Sequence, residues 1–279
     1  MISVVEARRR INAQFNTLST EMVALSAAAG RVLSGDISAR RTQPPNDVSA
    51  MDGYAVKAGD LKSVPVQLKV LGEAPAGGMF DGEVKAGQAV RIFTGGPMPK
   101  GADTVIMQED TDLGTDMVLV NENTGLVAGK HVRGAGIDFS AGDVLLKAGK
   151  RLGPRDIGLA AAMNHPWLPV TRKPRVALLA TGDEVVRPGD PIGPNQIVSS
   201  NGASLAAFIE MNGGVAMDLG IASDDEASIA TMADGARGAD LLVTMGGVSV
   251  GDHDLVQKVL GQAGMEIDFW KIAMKPGKP

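Results

Sequence analysis

The run Met245-Gly246-Gly247-Val248-Ser249-Val250-Gly251-Asp252-His253-Asp254 follows directly on the strand-like Asp240-Leu241-Leu242-Val243-Thr244. Its glycines let backbone amides approach an anion closely. A phosphate loop would then place Lys and Ser/Thr, whereas this one ends in Asp252, His253 and Asp254. Carboxylates that face a phosphate need a cation between them. The loop therefore points to a metal-bridged phosphate ligand, with Ser249 as a donor and Asp252 or Asp254 toward a divalent cation. The simpler alternative is a tight strand-to-helix turn in which one of these aspartates caps the next helix. His253 alone reads as a surface or capping residue.

Four further segments carry chemistry-bearing residues. Thr181-Gly182-Asp183-Glu184 follows another apolar run. Alone it reads equally well as a type I turn, but its place at a strand end beside the first loop favours a site. Asp224-Asp225 ordinarily caps a helix, with Asp224 a candidate metal ligand. The stretch from Pro44 to Val56 holds the only tyrosine, Tyr54, and the dipeptide Asp52-Gly53, which alone suggests a hairpin turn. Met274-Lys275-Pro276-Gly277-Lys278-Pro279 offers two lysines on a stiffened loop suited to an oxyanion, or else a solvated turn.

Composition narrows the classes. The chain has 279 residues, enough for about two domains. Aromatic residues make up only 3%, so the cores must be aliphatic. The net charge of −5 and the absence of a basic tract argue against a nucleic-acid partner. Zero cysteines exclude disulfides, thiolate metal sites and cysteine nucleophiles. No export signal and no long apolar span are visible, so a cytoplasmic protein without membrane contact is expected.

The elements that must position these residues fall into blocks. Ser3 and Glu6 form a capping box for a first helix, with Val4, Ala7, Ile11 and Phe15 as its apolar stripe and Arg8-Arg9-Arg10 as a solvated face. From about 41 to 139, short apolar runs at 66–71, 89–93, 104–107 and 117–120 alternate with turns, as in a compact β-rich domain. Gly153-Pro154 opens a helix that His165-Pro166 ends. From 174 onward strands at 175–180, 215–221, 241–244 and 267–272 alternate with helices at 201–211, 226–236 and 255–262. Such alternation predicts a three-layer α/β domain with a largely parallel sheet, in a multi-domain α/β chain. Ligands of these sheets sit beyond the carboxyl ends of the strands, where both acidic loops fall.

Several segments together resemble the molybdopterin molybdenumtransferases, the MoeA-type family that includes the C-terminal domain of gephyrin. The resemblance rests on Ser49-Ala50-Met51-Asp52-Gly53-Tyr54-Ala55, Phe93-Thr94-Gly95-Gly96-Pro97-Met98-Pro99 and Ala102-Asp103-Thr104-Val105-Ile106-Met107-Gln108-Glu109. It continues through Arg133-Gly134-Ala135-Gly136-Ile137-Asp138, Thr181-Gly182-Asp183-Glu184, Gly246-Gly247-Val248-Ser249-Val250-Gly251 and Lys275-Pro276-Gly277-Lys278-Pro279. It implies an enzyme that inserts molybdenum from molybdate into adenylylated molybdopterin with release of AMP, aided by Mg²⁺ or Zn²⁺. The pterin would supply the sulfur ligands that a cysteine-free protein lacks.

Position by position, the resemblance implies catalytic roles for Asp52, Thr94, Asp138, Glu184 and Asp254. It implies metal ligation by Asp224 and Asp254, and ligand binding by Thr181, Gly182, Asp183, Gly246, Gly247, Ser249, Gly251, Lys275 and Lys278. It also implies a homodimer whose cleft joins the α/β domain of one subunit to the β-rich insert of the other, and the molybdopterin adenylyltransferase as a possible partner. The implied division is 1–19 packing with the α/β domain, 20–40 plus 140–171 as a bridging domain, 41–139 as the β-rich insert, and 172–279 as a molybdopterin-binding α/β domain. Family members continue beyond the last of these motifs, so a fragment is expected. The competing readings are a molybdopterin adenylyltransferase and a non-catalytic, gephyrin-like scaffold.

Overall fold

A computed structural model describes residues 1–122, 125, 127–246, 255–269 and 271–274. In chain order its principal elements are α1 (Val4–Gln14), β1 (Gly53–Val56), β2 (Val66–Ala74), β3 (Gln88–Ile92), β4 (Thr104–Met107), β5 (Met117–Val120), α2 (Pro154–Ala162), β6 (Arg175–Thr181), α3 (Asn201–Met211), β7 (Val215–Ala222), α4 (Glu226–Asp234), β8 (Leu241–Met245) and α5 (Leu255–Gln262). They form two compact units. One comprises Met1–Val23, Gly30–Ser34 and Pro169–Pro279, and the other Ala24–Ala29 and Gly35–Leu168.

The second unit is built on a five-stranded sheet in the order β4-β1-β3-β2-β5. All its pairs are antiparallel except β2 with β3. Period-2 alternation sends neighbouring residues to opposite faces, and here both faces are covered. Tyr54, Val56, Leu68, Ala89, Ile106 and Val118 form one core. Ala55, Ala74, Val90, Ile92 and Val105 form the other. Gly53 sits where β1 and β4 approach most closely: a Cβ there would lie 1.8 Å from the carbonyl oxygen of Ile106. Asp52-Gly53 is therefore not a hairpin turn. Gly53 opens β1, and it is glycine because no side chain fits beneath β4.

The first unit carries a three-stranded parallel sheet in the order β7-β6-β8. β6 lies in the centre and is buried from Val176 to Thr181, as expected of a strand read as an unbroken apolar run. The chain leaves β6 through α3 to β7, then crosses back through α4 to β8. Right-handed crossovers in opposite directions put α3 on one face and α4 with α5 on the other. Leu179, Ala222, Ile229, Val256 and Val259 form the core on the α4–α5 face. The fold is thus mixed α/β and multi-domain, with the expected alternation of strands and helices. α3 and α5 span the residues expected for them.

In the same unit, Ser3 caps α1 by accepting the Glu6 N–H at 3.2 Å. Arg9 and Arg10 both reach the Glu6 carboxylate, which drops to about 2 through those bonds. Arg10 also reaches Asp268 at 3.1 Å, and Ile2-Ser3 pairs in parallel with Ile272-Ala273. At the amino edge of the sheet, Arg172 holds Asp240 in a two-pronged ion pair at 2.7 and 2.5 Å. Asp240 also accepts the Arg175 N–H at 2.8 Å.

Two expectations are corrected. The stripe Val4, Ile11 and Phe15 is 38, 41 and 59% exposed, and only Ala7 of that face is buried. Helical spacing identified the helix but not what lies against it. The run 267–272 does not form a strand beside β8; among its described residues only Ile272 is in a strand, and it pairs with the chain start. Residues 265–269 instead line a 320 Å³ apolar groove with Leu242, Thr244, Val256 and Leu260. Met265 and Ile267 stay 44 and 43% exposed, and a short apolar run carries the same local signal whether or not a sheet receives it.

Candidate functional site

Two sets of predicted residues come together, one in each unit. In the first unit they lie at the carboxyl edge of the parallel sheet. There the connection after β6 leaves over one face while that after β7 leaves over the other, which opens a crevice beyond the strand ends.

Thr181 ends β6. It is 3% exposed, and its hydroxyl has no hydrogen-bond partner among the described residues. Gly246, with φ 94°, lies against it: a Cβ there would meet the Thr181 carbonyl oxygen at 2.6 Å and its hydroxyl at 3.0 Å. Glycine thus lets the end of β8 pass directly against Thr181.

The Glu184 carboxylate folds back over Gly182, whose added Cβ would stand 2.6 Å from Oε2. The Asp183 carboxylate accepts the Asp224 N–H at 3.2 Å, which ties the loop after β6 to the loop after β7. Asp225 takes the capping role, accepting the Ser228 N–H at 2.8 Å, and Asp224 is left beside Asp183. The short parallel pairing of Val185-Val186 with Ile197-Val198 steadies this loop. An open groove of 380 Å³ runs along it, lined by Gly182, Asp183, Arg187, Asp190, Ala222 and Ser223.

In the second unit, Asp52 and Thr94 are bonded directly. Thr94 donates its N–H at 2.7 Å and its hydroxyl at 2.8 Å to the same Asp52 oxygen. These bonds, the backbone one first, hold the Asp52 carboxyl below its usual range, with a smaller contribution from the Arg91 charge. Ser49 sews the same two loops together: its N–H goes to the Gly96 carbonyl and its carbonyl accepts the Gly95 N–H, both at 2.9 Å. Val48-Ser49 pairs antiparallel with Val132-Arg133. Asp138 is on the adjoining loop, exposed, with its N–H on the Gln43 carbonyl at 3.1 Å. Among the described residues no hydrogen bond joins Asp138 to Asp52.

Gly247, Ser249, Gly251, Asp254, Lys275 and Lys278 lie outside the described residues. Among the described residues no three His, Cys, Asp or Glu side chains gather to hold a metal ion, and no helix is long and apolar enough to cross a membrane. Sequence reasoning missed Arg91 and Gln108, which border Asp52. The available signals were an arginine inside the apolar run 89–93 and, for Gln108, its place in the segment 102–109 that carries the resemblance.

Comparison with known proteins covers the whole chain. Residues 2–164 match the family described as MoeA N-terminal region (domain I and II). Residues 177–279 match the probable molybdopterin binding domain. A molybdopterin molybdenumtransferase of Nostoc sp. is 40% identical over 93% of this chain and 60% of its own length. Molybdopterin molybdenumtransferase 2 of Mycobacterium tuberculosis is 38% identical over 100% of this chain and 71% of its own. The crystal structure of a molybdopterin biosynthesis MoeA protein from Pyrococcus horikoshii superposes with a TM-score of 0.87 at 33% identity, over 100% of this chain and 71% of that one. The chain thus spans 60 to 71% of the length of these relatives. With both halves matched in order and the fold shared throughout, this chain belongs to the MoeA family of molybdopterin molybdenumtransferases.

Proposed function

We propose that the protein is a transferase of molybdenum cofactor biosynthesis, which inserts molybdenum from molybdate into adenylylated molybdopterin and releases AMP. One observation carries this reading: a single chain holds both the Asp52–Thr94 loop cluster and the carboxyl-edge loops around Thr181. The alternative, a molybdopterin adenylyltransferase, needs only the second. The names of the relatives support the same choice.

The roles follow from the geometry. The buried Thr181 hydroxyl suits an anionic group of the substrate, because a desolvated donor without a partner is costly until a ligand meets it. Asp52 is a carboxylate held unprotonated, with one oxygen committed to Thr94. A lowered carboxylate is a weak base, so it is suited to orient water or a substrate group by hydrogen bonding near the bond that breaks. Lys275 and Lys278 would offset the charge of molybdate.

A divalent cation fits the chemistry of the edge. Asp183, Glu184 and Asp224 are hard oxygen donors, and no Cys is present, a set that suits Mg²⁺ better than Zn²⁺. Asp224, with Asp254, would hold it. When bound, it supplies charge neutralisation at the phosphoanhydride.

We further propose a cytoplasmic homodimer that receives its substrate from a molybdopterin adenylyltransferase. We also propose a domain division at 1–19, 20–40 with 140–171, 41–139 and 172–279, for which limited proteolysis gives the check. The decisive assay measures AMP release from adenylylated molybdopterin by the protein expressed from its natural reading frame. Release stimulated by molybdate is the expected result. ATP-dependent adenylylation of molybdopterin would favour the alternative, and neither activity would overturn both, leaving a scaffold.

A further inference from the structure

Arg91 lies across the strand pair from Tyr54, in the antiparallel register of β1 with β3. Its guanidinium carbon stands 5.0 Å from the ring centre of Tyr54 and 5.0 Å from that of Phe93. Two aromatic faces therefore hold the cation in place, and among the described residues no carboxylate forms a salt bridge with it. One guanidinium nitrogen donates to the Gly53 carbonyl at 3.1 Å and the other to the Gln108 side-chain oxygen at 2.6 Å. The Gln108 N–H in turn donates to the Asp52 carbonyl at 3.0 Å.

A closed circuit results. Arg91 grips the carbonyl that follows Asp52. Through Gln108 it reaches the carbonyl of Asp52 itself. Thr94, three residues along the chain from Arg91, makes both bonds to the Asp52 carboxylate. The Arg91 side chain is thus bonded to the residue after Asp52 and to the residue that holds the Asp52 carbonyl.

We propose that Arg91 is the positioning residue of Asp52: it locks the backbone around Asp52 so that one carboxylate oxygen is committed to Thr94 and the other faces the substrate. The inference rests on the reading of Asp52 as a site residue. Lysine cannot replace Arg91, since an ammonium makes no planar fork between two acceptors and stacks less well on two rings.

The test follows the Asp52 carboxyl by ¹³C NMR titration, without substrate, in the wild type, Arg91→Met and Arg91→Lys. Both variants are expected to titrate Asp52 at higher pH than the wild type. Their kcat for AMP release is expected to fall on the order of tenfold to a hundredfold, with KM within about twofold, as for a misplaced reacting group. The lysine variant retains the charge and provides a folded case if the methionine variant does not fold. An unchanged Asp52 titration in a folded Arg91 variant would overturn the inference, whatever its turnover. Wild-type turnover in Asp52→Asn would instead overturn the reading of Asp52 and leave the positioning result standing.

Discussion

Thr94 donates twice to one oxygen of Asp52, through its N–H at 2.7 Å and its hydroxyl at 2.8 Å. The two residues are 42 positions apart, and the contact exists only because β1 and β3 are paired. Thr94→Val removes the hydroxyl and leaves the amide. Its Asp52 should titrate nearer the ordinary carboxylate range, and turnover should fall. Thr94→Ser keeps both donors and should behave as the wild type. Carboxyl NMR and AMP release together check this.

Asp52→Ala should lower turnover by roughly a hundredfold, the scale for loss of a group that positions a reactant. Asp52 is exposed, so the melting temperature should stay close to that of the wild type. A variant that turns over normally would remove Asp52 from the site.

Gly53→Ala tests the close approach of β1 and β4. The new methyl would sit 1.8 Å from the Ile106 carbonyl oxygen, which is backbone and cannot swing aside. The sheet must part locally, at a cost of about 3 kcal/mol or more. Urea denaturation measures it, and a variant of wild-type stability would mean that the strands are not in this register.

Gly246→Ala combines a left-handed backbone, φ 94°, with a clash against the Thr181 carbonyl oxygen. The conformational part alone costs about 1–2 kcal/mol. Because Gly246 lies against Thr181, ligand affinity should fall more than stability. Calorimetric titration with adenylylated molybdopterin, beside a thermal melt, separates the two effects.

Acid stability should depend on Asp240. The Arg172 bonds first, then the Arg175 N–H, lower its carboxyl from 3.8 to about 2. A depressed folded value means that the stabilisation is fully present above about 4 and is lost as pH falls toward 2. Asp240→Asn should flatten the stability profile across that window, as followed by circular dichroism. Both groups reach solvent, so the effect should shrink in high salt.

Much of the fold was legible because its signals are local. The Ser3–Glu6 cap, the Gly153-Pro154 helix start and the limits of α3 and α5 depend on neighbouring residues, and the structure reproduces them. What depended on distant partners was not legible. The apolar stripe of α1 did not reveal that it would stay exposed. The run 267–272 did not reveal that it would line a groove instead of extending the sheet. The candidate site divides in the same way. The motifs around Asp52, Thr94 and Thr181 were visible as segments, but the bond between Asp52 and Thr94 is a matter of strand register. Arg91 matters through a circuit that no single segment contains. The loop residues 247–254 and the lysines at 275 and 278, prominent in the sequence, lie outside the described residues.

The stack of Arg91 on Tyr54 gives the molecule a built-in optical label. Tyr54 is the only tyrosine, and its band can be separated from those of two tryptophans by second-derivative ultraviolet spectroscopy. Its hydroxyl bonds to the Gly114 carbonyl at 3.1 Å, and burial raises its ionisation above the ordinary 10, so the phenol is neutral near pH 7. Whatever shifts the guanidinium changes the field on that one chromophore. Movement at the Asp52 loop can thus be followed by absorbance in real time, with no dye, isotope or tag.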